Sequence, residues 1–482
     1  MASVNKQSLR EEFEALKGRF AQLRADGKIS AESRALVEAL LMLLHVLMAV
    51  FMEKHTPKTS TNSSKPSSQT PKDETAIPRA GTHSKGKPQC EMRSANTRTI
   101  ETVQISKVSF CEDCGEDLRT LPCQGYERRT LVDIVFEKVL THVDAEIKSC
   151  PQCGAQARGV FPERFSGPVQ YGAGIKAYAL NLLIAQMVSL KRVQHSIQTL
   201  IGLLLSEATI LKYVRQLHLA LERWEQAAID TLLSLPAMHV DETSLRVAKK
   251  NHWIHVCSAG EITLKFVHEK RGQQGMHAIG VIPRYGGVII HDCWASYLSY
   301  DHCAHGLCGA HLLRELTFIV EADGYAWARN MKRLLQQTCG RVARRKRKRL
   351  TPREYQNLQK RYRNILTRGE GELPPIPARQ NGKRGRVAKS DAHNLWERLK
   401  NHETAVLLFA RNPHVAFTNN RAERDLRMSK VKQKVSGCFR NPQYAQAYCR
   451  ISSYLQTMAN RGYNPLVAIQ MALSGELYAQ MG

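Results

Sequence analysis

Acidic residues are scarce in this 482-residue chain: 43 Asp and Glu stand against 70 Lys and Arg, for a net charge of +27 and a pI near 9.7. So large a cationic excess on ordinary apolar content excludes an acidic binding surface as the dominant feature. It favours a polyanionic partner, nucleic acid first and a membrane surface second. A basic segment leading into a short apolar run is missing at the start, where Glu11, Glu12 and Glu14 come early, so no secretory signal is expected and the cytoplasm is the expected location. A clean membrane-length apolar run is missing too. The nearest approach, residues 35–52, carries Glu38 and His45, which argues against a spanning helix. Nor is there a paired disulfide framework, because the 13 cysteines are odd in number and four of them form two Cys-x-x-Cys pairs. That pattern points to reduced thiols and a metal site. From Lys54 to Thr99 large apolar side chains are almost absent, with only Ile77 and Met92 amid Ser, Thr, Pro and Lys. Such a segment cannot offset its ordering entropy, so residues 54–105 are expected to be a disordered basic linker.

Ahead of that linker, Phe13, Leu16, Phe20 and Leu23 recur at three and four, and after Asp26-Gly27 so do Val37, Leu40, Leu44, Leu47 and Phe51. The second set is a heptad seam, which predicts a helical segment over residues 1–53 that self-associates into a homo-oligomer; a helix packed on its own domain is the competing reading. Beyond the linker, Cys111-Glu112-Asp113-Cys114-Gly115 and Cys150-Pro151-Gln152-Cys153-Gly154 each read as a zinc knuckle. Two residues between thiolates let the backbone fold tightly enough for both sulfurs to reach one tetrahedral ion. Residues 106–165 are therefore expected to be a zinc-binding module with Cys111, Cys114, Cys150 and Cys153 as ligands. The gap between the pairs is longer than a zinc ribbon normally has, so Cys123 or His142 could replace one of them. Four thiolates leave no open position, so the zinc is expected to be structural.

Residues 166–235 are helical by period. Lys191 to Leu200, a turn at Gly202 and a helix capped by Ser206 resemble a helix-turn-helix, with Thr209, Lys212, Tyr213 and Arg215 on the second helix. The same pattern also suits plain helical packing.

Residues 237–247 alternate like a strand, with Asp241 inside it; 252–257 and 262–267 are two more strand candidates. A helix is expected from Gln273, then the buried run Gly287-Val288-Ile289-Ile290-His291 ending at Asp292. A crossing from an antiparallel meander to a parallel strand would set Asp292 beside Asp241. Two adjacent acids repel and call for a hard divalent cation. A third acid, Glu423, lies in the cationic stretch from Asn419 to Arg440, four residues before Arg427 on the same helical face.

Four motifs in this order, His239-Val240-Asp241-Glu242-Thr243, His291-Asp292-Cys293-Trp294-Ala295-Ser296-Tyr297, Cys308-Gly309-Ala310-His311-Leu312-Leu313-Arg314-Glu315-Leu316 and the 419–440 stretch, resemble the insertion-sequence-66 family of bacterial DDE transposases. The resemblance runs from the knuckles to about Asn464. It implies an α/β multidomain protein: a coiled-coil-like N-terminal helix, a zinc-binding module, a helical DNA-binding region, and a ribonuclease-H-like catalytic core over 236–322 and 410–450. A basic helical insertion over 323–409 interrupts that core, and a helical tail over 451–482 follows it. It makes Asp241, Asp292 and Glu423 the catalytic triad and the ligands of Mg²⁺ or Mn²⁺, with Glu242 and Asp425 as their nearest rivals. The implied activity is metal-dependent cleavage and strand transfer of an insertion element; a non-catalytic DNA-binding regulator and a plain nuclease are the alternatives. Transposon ends and target DNA are the implied partners, with accessory proteins of the same element, no membrane, and a nucleoid location. Arg427, Lys430, Lys432, Lys434 and Arg440, with Arg344, Arg345, Arg347 and Arg349 of the insertion, are the expected phosphate contacts. His302, Cys303, His305, Cys308 and His311 crowd one segment and invite a second metal site; Cys308 and His311 resemble a supporting Cys-x-x-His pair.

Overall fold

The computed structural model describes residues 102–131, 134, 136–376 and 389–476, with a few isolated positions between 18 and 40. The chain divides into two units, residues 1–85 and 86–482. In the first, the described positions 18–20, 22, 23, 37 and 40 are helical. The rest of the expected leucine-rich helix, and the expected linker before residue 102, lie outside the described residues.

In the second unit each Cys-x-x-Cys pair forms the same turn. Gly115 and Gly154 take positive φ (77° and 72°), and their N–H groups donate to the carbonyls of Cys111 and Cys150 at 2.9 Å. The first turn is framed by a bridge between Phe110 and Asp117. The second is framed by a short antiparallel hairpin, β1 (Ile147–Ser149) with β2 (Gln156–Arg158). Four helices follow: α1 (Ala173–Leu180), α2 (Leu190–Ile201), α3 (Glu207–Ala220) and α4 (Glu222–Ser234). The turn between α2 and α3 has the expected chemistry. Gly202 ends α2 in the left-handed region (φ 65°), and the Ser206 hydroxyl accepts from the Thr209 N–H to cap α3. Lys212 and Arg215 are exposed on α3, but Tyr213 is buried with the Lys176 ammonium over its ring, so it packs the bundle and presents no face to solvent.

A five-stranded mixed sheet forms the centre, in the order β5-β4-β3-β6-β7. β3 (Ala237–Val247), β4 (Lys250–Ala259) and β5 (Ile262–His268) make an antiparallel meander. Ala248 and Lys249, both at positive φ, form the tight β3–β4 turn whose twist suits a hairpin. The chain then crosses through α5 (Gln273–Ile279) to β6 (Val288–His291), which pairs parallel to β3. All four β6 residues are buried, as a continuous apolar run in a parallel interior strand requires. After α6 (Ala295–Leu298), β7 (Ala304–Leu307) adds a second parallel pairing.

Helices α7 (Gly309–Ala322), α8 (Ala326–Ala343), α9 (Pro352–Glu372), α10 (Asp391–Asn401) and α11 (Glu403–Arg411) share one apolar core with Val288, Ile290 and Leu307 of the sheet. A second core joins the bundle, the meander, and helices α12 (Asn420–Ser436), α13 (Pro442–Asn460) and α14 (Pro465–Ser474). The expected boundary at residue 450 falls inside α13. This helix is not a tail: Ser453 and Thr457 accept from the N–H groups of Lys265 and Thr263 on β5, so α13 covers the meander. Buried Lys265 also reaches α13, donating to Ser452 and Gln456.

Candidate active site

Strand register brings the first two acids together. Ala237 pairs with Val288 and His239 with Ile290, so Asp292, one step past the end of β6, falls across from Asp241 on the same sheet face. Asp292 closes a tight turn, its Oδ1 accepting from the Trp294 N–H at 3.0 Å. Between them Cys293 sits at φ 75°, a left-handed conformation unusual outside glycine, and its N–H donates to His291 Nδ1 at 3.1 Å.

The third acid arrives on α12, and the residue before the helix holds it there. Asn419 is buried; its Nδ2 donates to the Val240 carbonyl at 2.8 Å, its Oδ1 meets His239 Nδ1 at 3.0 Å, and its backbone N–H donates to Cys308 Sγ at 3.0 Å. One side chain thus ties the helix start to the strand carrying Asp241. The same junction depends on Gly309, whose N–H donates to the Phe417 carbonyl at 2.7 Å; a Cβ there would lie 2.3 Å from the Phe417 ring. Glu423, one turn into α12, stands 3.6 Å from His311 Nδ1 through Oε1.

Electrostatics record the convergence. Burial, then the neighbouring charge of Glu242, then the charges of Asp292 and Glu423 push the Asp241 carboxyl up to about 7, against the lowering effect of the Glu242 N–H on its Oδ1. Burial lowers the His311 imidazole, but the proximity of Cys308, with the charge of Glu423, outweighs it and leaves its pKa raised. Glu423 Oε1 and His311 Nδ1 are both buried without a hydrogen-bond partner. The three acids thus share one field, although their carboxylate oxygens do not all lie within 4.8 Å of one another.

The two rival acids are occupied elsewhere. Glu242 points away from Asp241, as alternation along β3 requires, and accepts from Arg271 Nε and Nη2 at 2.9 and 2.7 Å and from the Tyr297 hydroxyl. Burial still raises its pKa. The Arg271 guanidinium lies over Trp253 and Trp294, 4.9 and 4.3 Å from their ring centres. Asp425 is buried against the meander, accepting from Ser258 Oγ (2.7 Å), Thr263 Oγ1 (2.9 Å) and Gln456 Nε2 (2.8 Å). It anchors α12 to the sheet.

The cationic residues divide by helical face. Arg427, Lys430 and Lys434 continue from Glu423 along one exposed stripe of α12, and Arg440 is exposed after it. Lys432 is a correction: it belongs to the buried face, with Nζ 3.3 Å from the Leu183 carbonyl, so it is not available to phosphate as expected. In the insertion Arg344, Arg347 and Arg349 are exposed, while Arg345 is paired with Glu354. The five-residue His/Cys cluster also divides. Cys303 donates to the Tyr285 carbonyl, and His305 lies between His291 and the Tyr300 carbonyl. His302 Nε2 meets the Ile282 carbonyl at 3.4 Å, leaving Cys308 and His311 facing Glu423.

Among the described residues, Cys308, His311 and Glu423 are the only three His, Cys or acidic side chains whose ligand atoms lie within 4.8 Å of one another. The sulfurs of Cys111, Cys114, Cys150 and Cys153 are therefore not gathered at one point. Within each knuckle the backbone N–H groups and the second cysteine lower the first cysteine's pKa, as a metal-binding turn would.

Sequence reasoning passed over Asn419 as a positioning group, although it heads the motif that carries Glu423, and gave no role to Arg271 or Tyr297. Arg271 had no signal, being one base in a polar loop. A family model described as "Transposase IS66 family" matches residues 168–447, which span β3, β6 and α12. No curated protein matches the chain.

Proposed function

Because the chain belongs to the IS66 family of transposases, we propose that Asp241, Asp292 and Glu423 form a DDE-type catalytic triad, on a ribonuclease-H-like sheet, that cuts and joins the DNA of an insertion element. The observation that carries this reading is geometric: the parallel register sets Asp292 across from Asp241, and Asn419 ties the start of the Glu423 helix to the same strand. Asp241, Asp292 and Glu423 offer oxygen donors alone and would hold hard divalent cations, Mg²⁺ or Mn²⁺, once their carboxylates, which do not all lie within 4.8 Å of one another, draw in around the ion. When bound, such a cation supplies Lewis acidity, lowering the pKa of an attacking hydroxyl and stabilising the leaving oxygen.

The protein's own residues position the DNA. Arg427, Lys430 and Lys434 extend from Glu423 along one stripe, so a strand lying on α12 meets cations beside the acid and its scissile phosphodiester is held over the three carboxylates. Asn419 and Gly309 keep Glu423 against β3 while the strand is held. Water attacks the phosphodiester at each element end, leaving a free 3′-hydroxyl and a 5′-phosphate. That 3′-hydroxyl then attacks a target phosphodiester, joining element to target and releasing a target 3′-hydroxyl. Neither displacement needs a protein nucleophile. The knuckle turns would hold structural zinc if Cys111 and Cys114 approach Cys150 and Cys153. Among the described residues no helix is long and apolar enough to cross a membrane.

A Mg²⁺-dependent cleavage and joining assay on DNA flanking the gene, comparing wild type with Asp292→Asn, tests the reading. Cleaved and joined products are expected from wild type, with a loss of about a hundred- to a thousandfold in the variant, since removing one group that stabilises developing charge costs on that order. Products of equal yield from both proteins would remove Asp292 from the chemistry. Cleavage without joining would leave a nuclease, and binding without either would leave a regulator.

A further inference from the structure

The triad does not use two of the groups packed on it. Cys308 and His311 flank the start of α7, one at the N-cap and the other three residues on, and this spacing sets both side chains toward Glu423. Cys308 is fully buried, and its sulfur accepts the Asn419 N–H at 3.0 Å, the kind of outer contact that holds a metal thiolate in place. His311 Nδ1 and Glu423 Oε1 are buried, 3.6 Å apart and without a hydrogen-bond partner, a costly arrangement unless something lies between them. Tetrahedral ligation at about 2.0–2.3 Å sets ligand atoms roughly 3.3–3.8 Å apart, so this pair already stands at ligand spacing. Sulfur, imidazole and carboxylate all fall within 4.8 Å of one another.

We propose that Cys308, His311 and Glu423 form a second cation site, selective for a thiophilic transition metal such as Zn²⁺, which shares Glu423 with the triad. The donor chemistry separates the two sites. Asp241 and Asp292 offer oxygen alone and suit Mg²⁺ or Mn²⁺, whereas a thiolate and an imidazole favour Zn²⁺ over either. Three protein ligands leave a position open, unlike the closed four-thiolate site expected of the knuckles. Sharing Glu423 makes the two ions competitors for one carboxylate, so Zn²⁺ at this site withdraws Glu423 from the hard-cation site. The competition rests on the triad reading; the binding does not.

The test is metal content and competition on the full chain. Purified wild type, Cys308→Ser, His311→Ala and Asp241→Asn are equilibrated with Zn²⁺, desalted, and their zinc measured by mass spectrometry, with circular dichroism to confirm folding. His311 is partly exposed, so this variant guards against a Cys308→Ser protein that fails to fold. His311→Cys, which restores a soft ligand, serves as the rescue. Wild type, Asp241→Asn and His311→Cys are expected to hold one equivalent more than Cys308→Ser and His311→Ala. Equal zinc in wild type, Cys308→Ser and His311→Ala overturns the site. In Mg²⁺-supported cleavage, added Zn²⁺ is expected to inhibit wild type and to spare Cys308→Ser; equal inhibition of both overturns the sharing of Glu423. If no cleavage is found under any condition, the zinc difference still decides the site, and only the triad reading fails.

Discussion

At the scale of single residues, Asn419 matters as much to the site as any of the three acids. A carboxylate on a helix is useful only if the helix arrives at the right place, and Asn419 ties α12 to the Val240 carbonyl, one residue before Asp241. The amide is suited to this because it donates and accepts at once, meeting a strand carbonyl and the His239 ring from one buried position. Asn419→Ala leaves both partners unsatisfied and is expected to destabilise the protein by about 2–4 kcal/mol, measured by urea unfolding. Cleavage should fall in parallel under conditions where the variant is folded. A stability loss below about 0.5 kcal/mol would mean that other groups hold the helix. Glu242 and Asp425 show the converse. Both stand close in sequence to members of the proposed triad, yet one is committed to Arg271 and Tyr297 and the other to Ser258, Thr263 and Gln456.

At the scale of the element, α12 performs two tasks with two faces. Ala422, Asp425, Leu426, Ser429 and Lys432 are buried, while Arg427, Lys430 and Lys434 are exposed in line with Glu423. Replacing the three exposed cations by Ala is expected to change stability by no more than about 0.5 kcal/mol each, because exposed side chains away from caps and cores contribute little. Affinity for duplex DNA should fall, and the slope of log K against log salt should shrink by about 0.9 for each phosphate that is no longer neutralised. An unchanged slope would place the DNA elsewhere. Lys432→Ala is the internal control, since its ammonium faces Leu183: it should cost stability and leave the slope alone.

At the scale of the whole molecule, two kinds of order coexist among the described residues from 102 to 476. From the helical bundle onward, two extensive apolar cores hold the sheet and its helices. Residues 102–170 differ, with Val103, Leu131, Ile134, Val139 and Val160 all more than 60% exposed. Chain this rich in exposed apolar groups gains little from burial; zinc bound at the knuckles, as proposed, would supply order that packing does not. Limited proteolysis with and without a chelator tests this. Chelation should speed cleavage within 102–165 severalfold and leave the part containing the sheet resistant; equal rates would mean that zinc does not organise the knuckles.

The sequence alone determined the local and the periodic. It showed the knuckle turns from Cys-x-x-Cys-Gly, the meander from alternation, the buried β6 from its unbroken apolar run, and the caps at Gly202 and Ser206, because each rests on interactions within a few residues. Three acids in a recognisable order could also be read directly from the chain. Only the tertiary structure decided which polar groups share a space. That Asp292 lies across from Asp241 depends on the register of a parallel crossover, that Lys432 turns inward depends on where α12 lands, and that Cys308 and His311 meet Glu423 depends on Gly309 admitting Phe417. The physical reason is common to all of these: a side chain's type is written at its own position, but its partner is set by packing between segments far apart in the chain, and no local pattern encodes that separation.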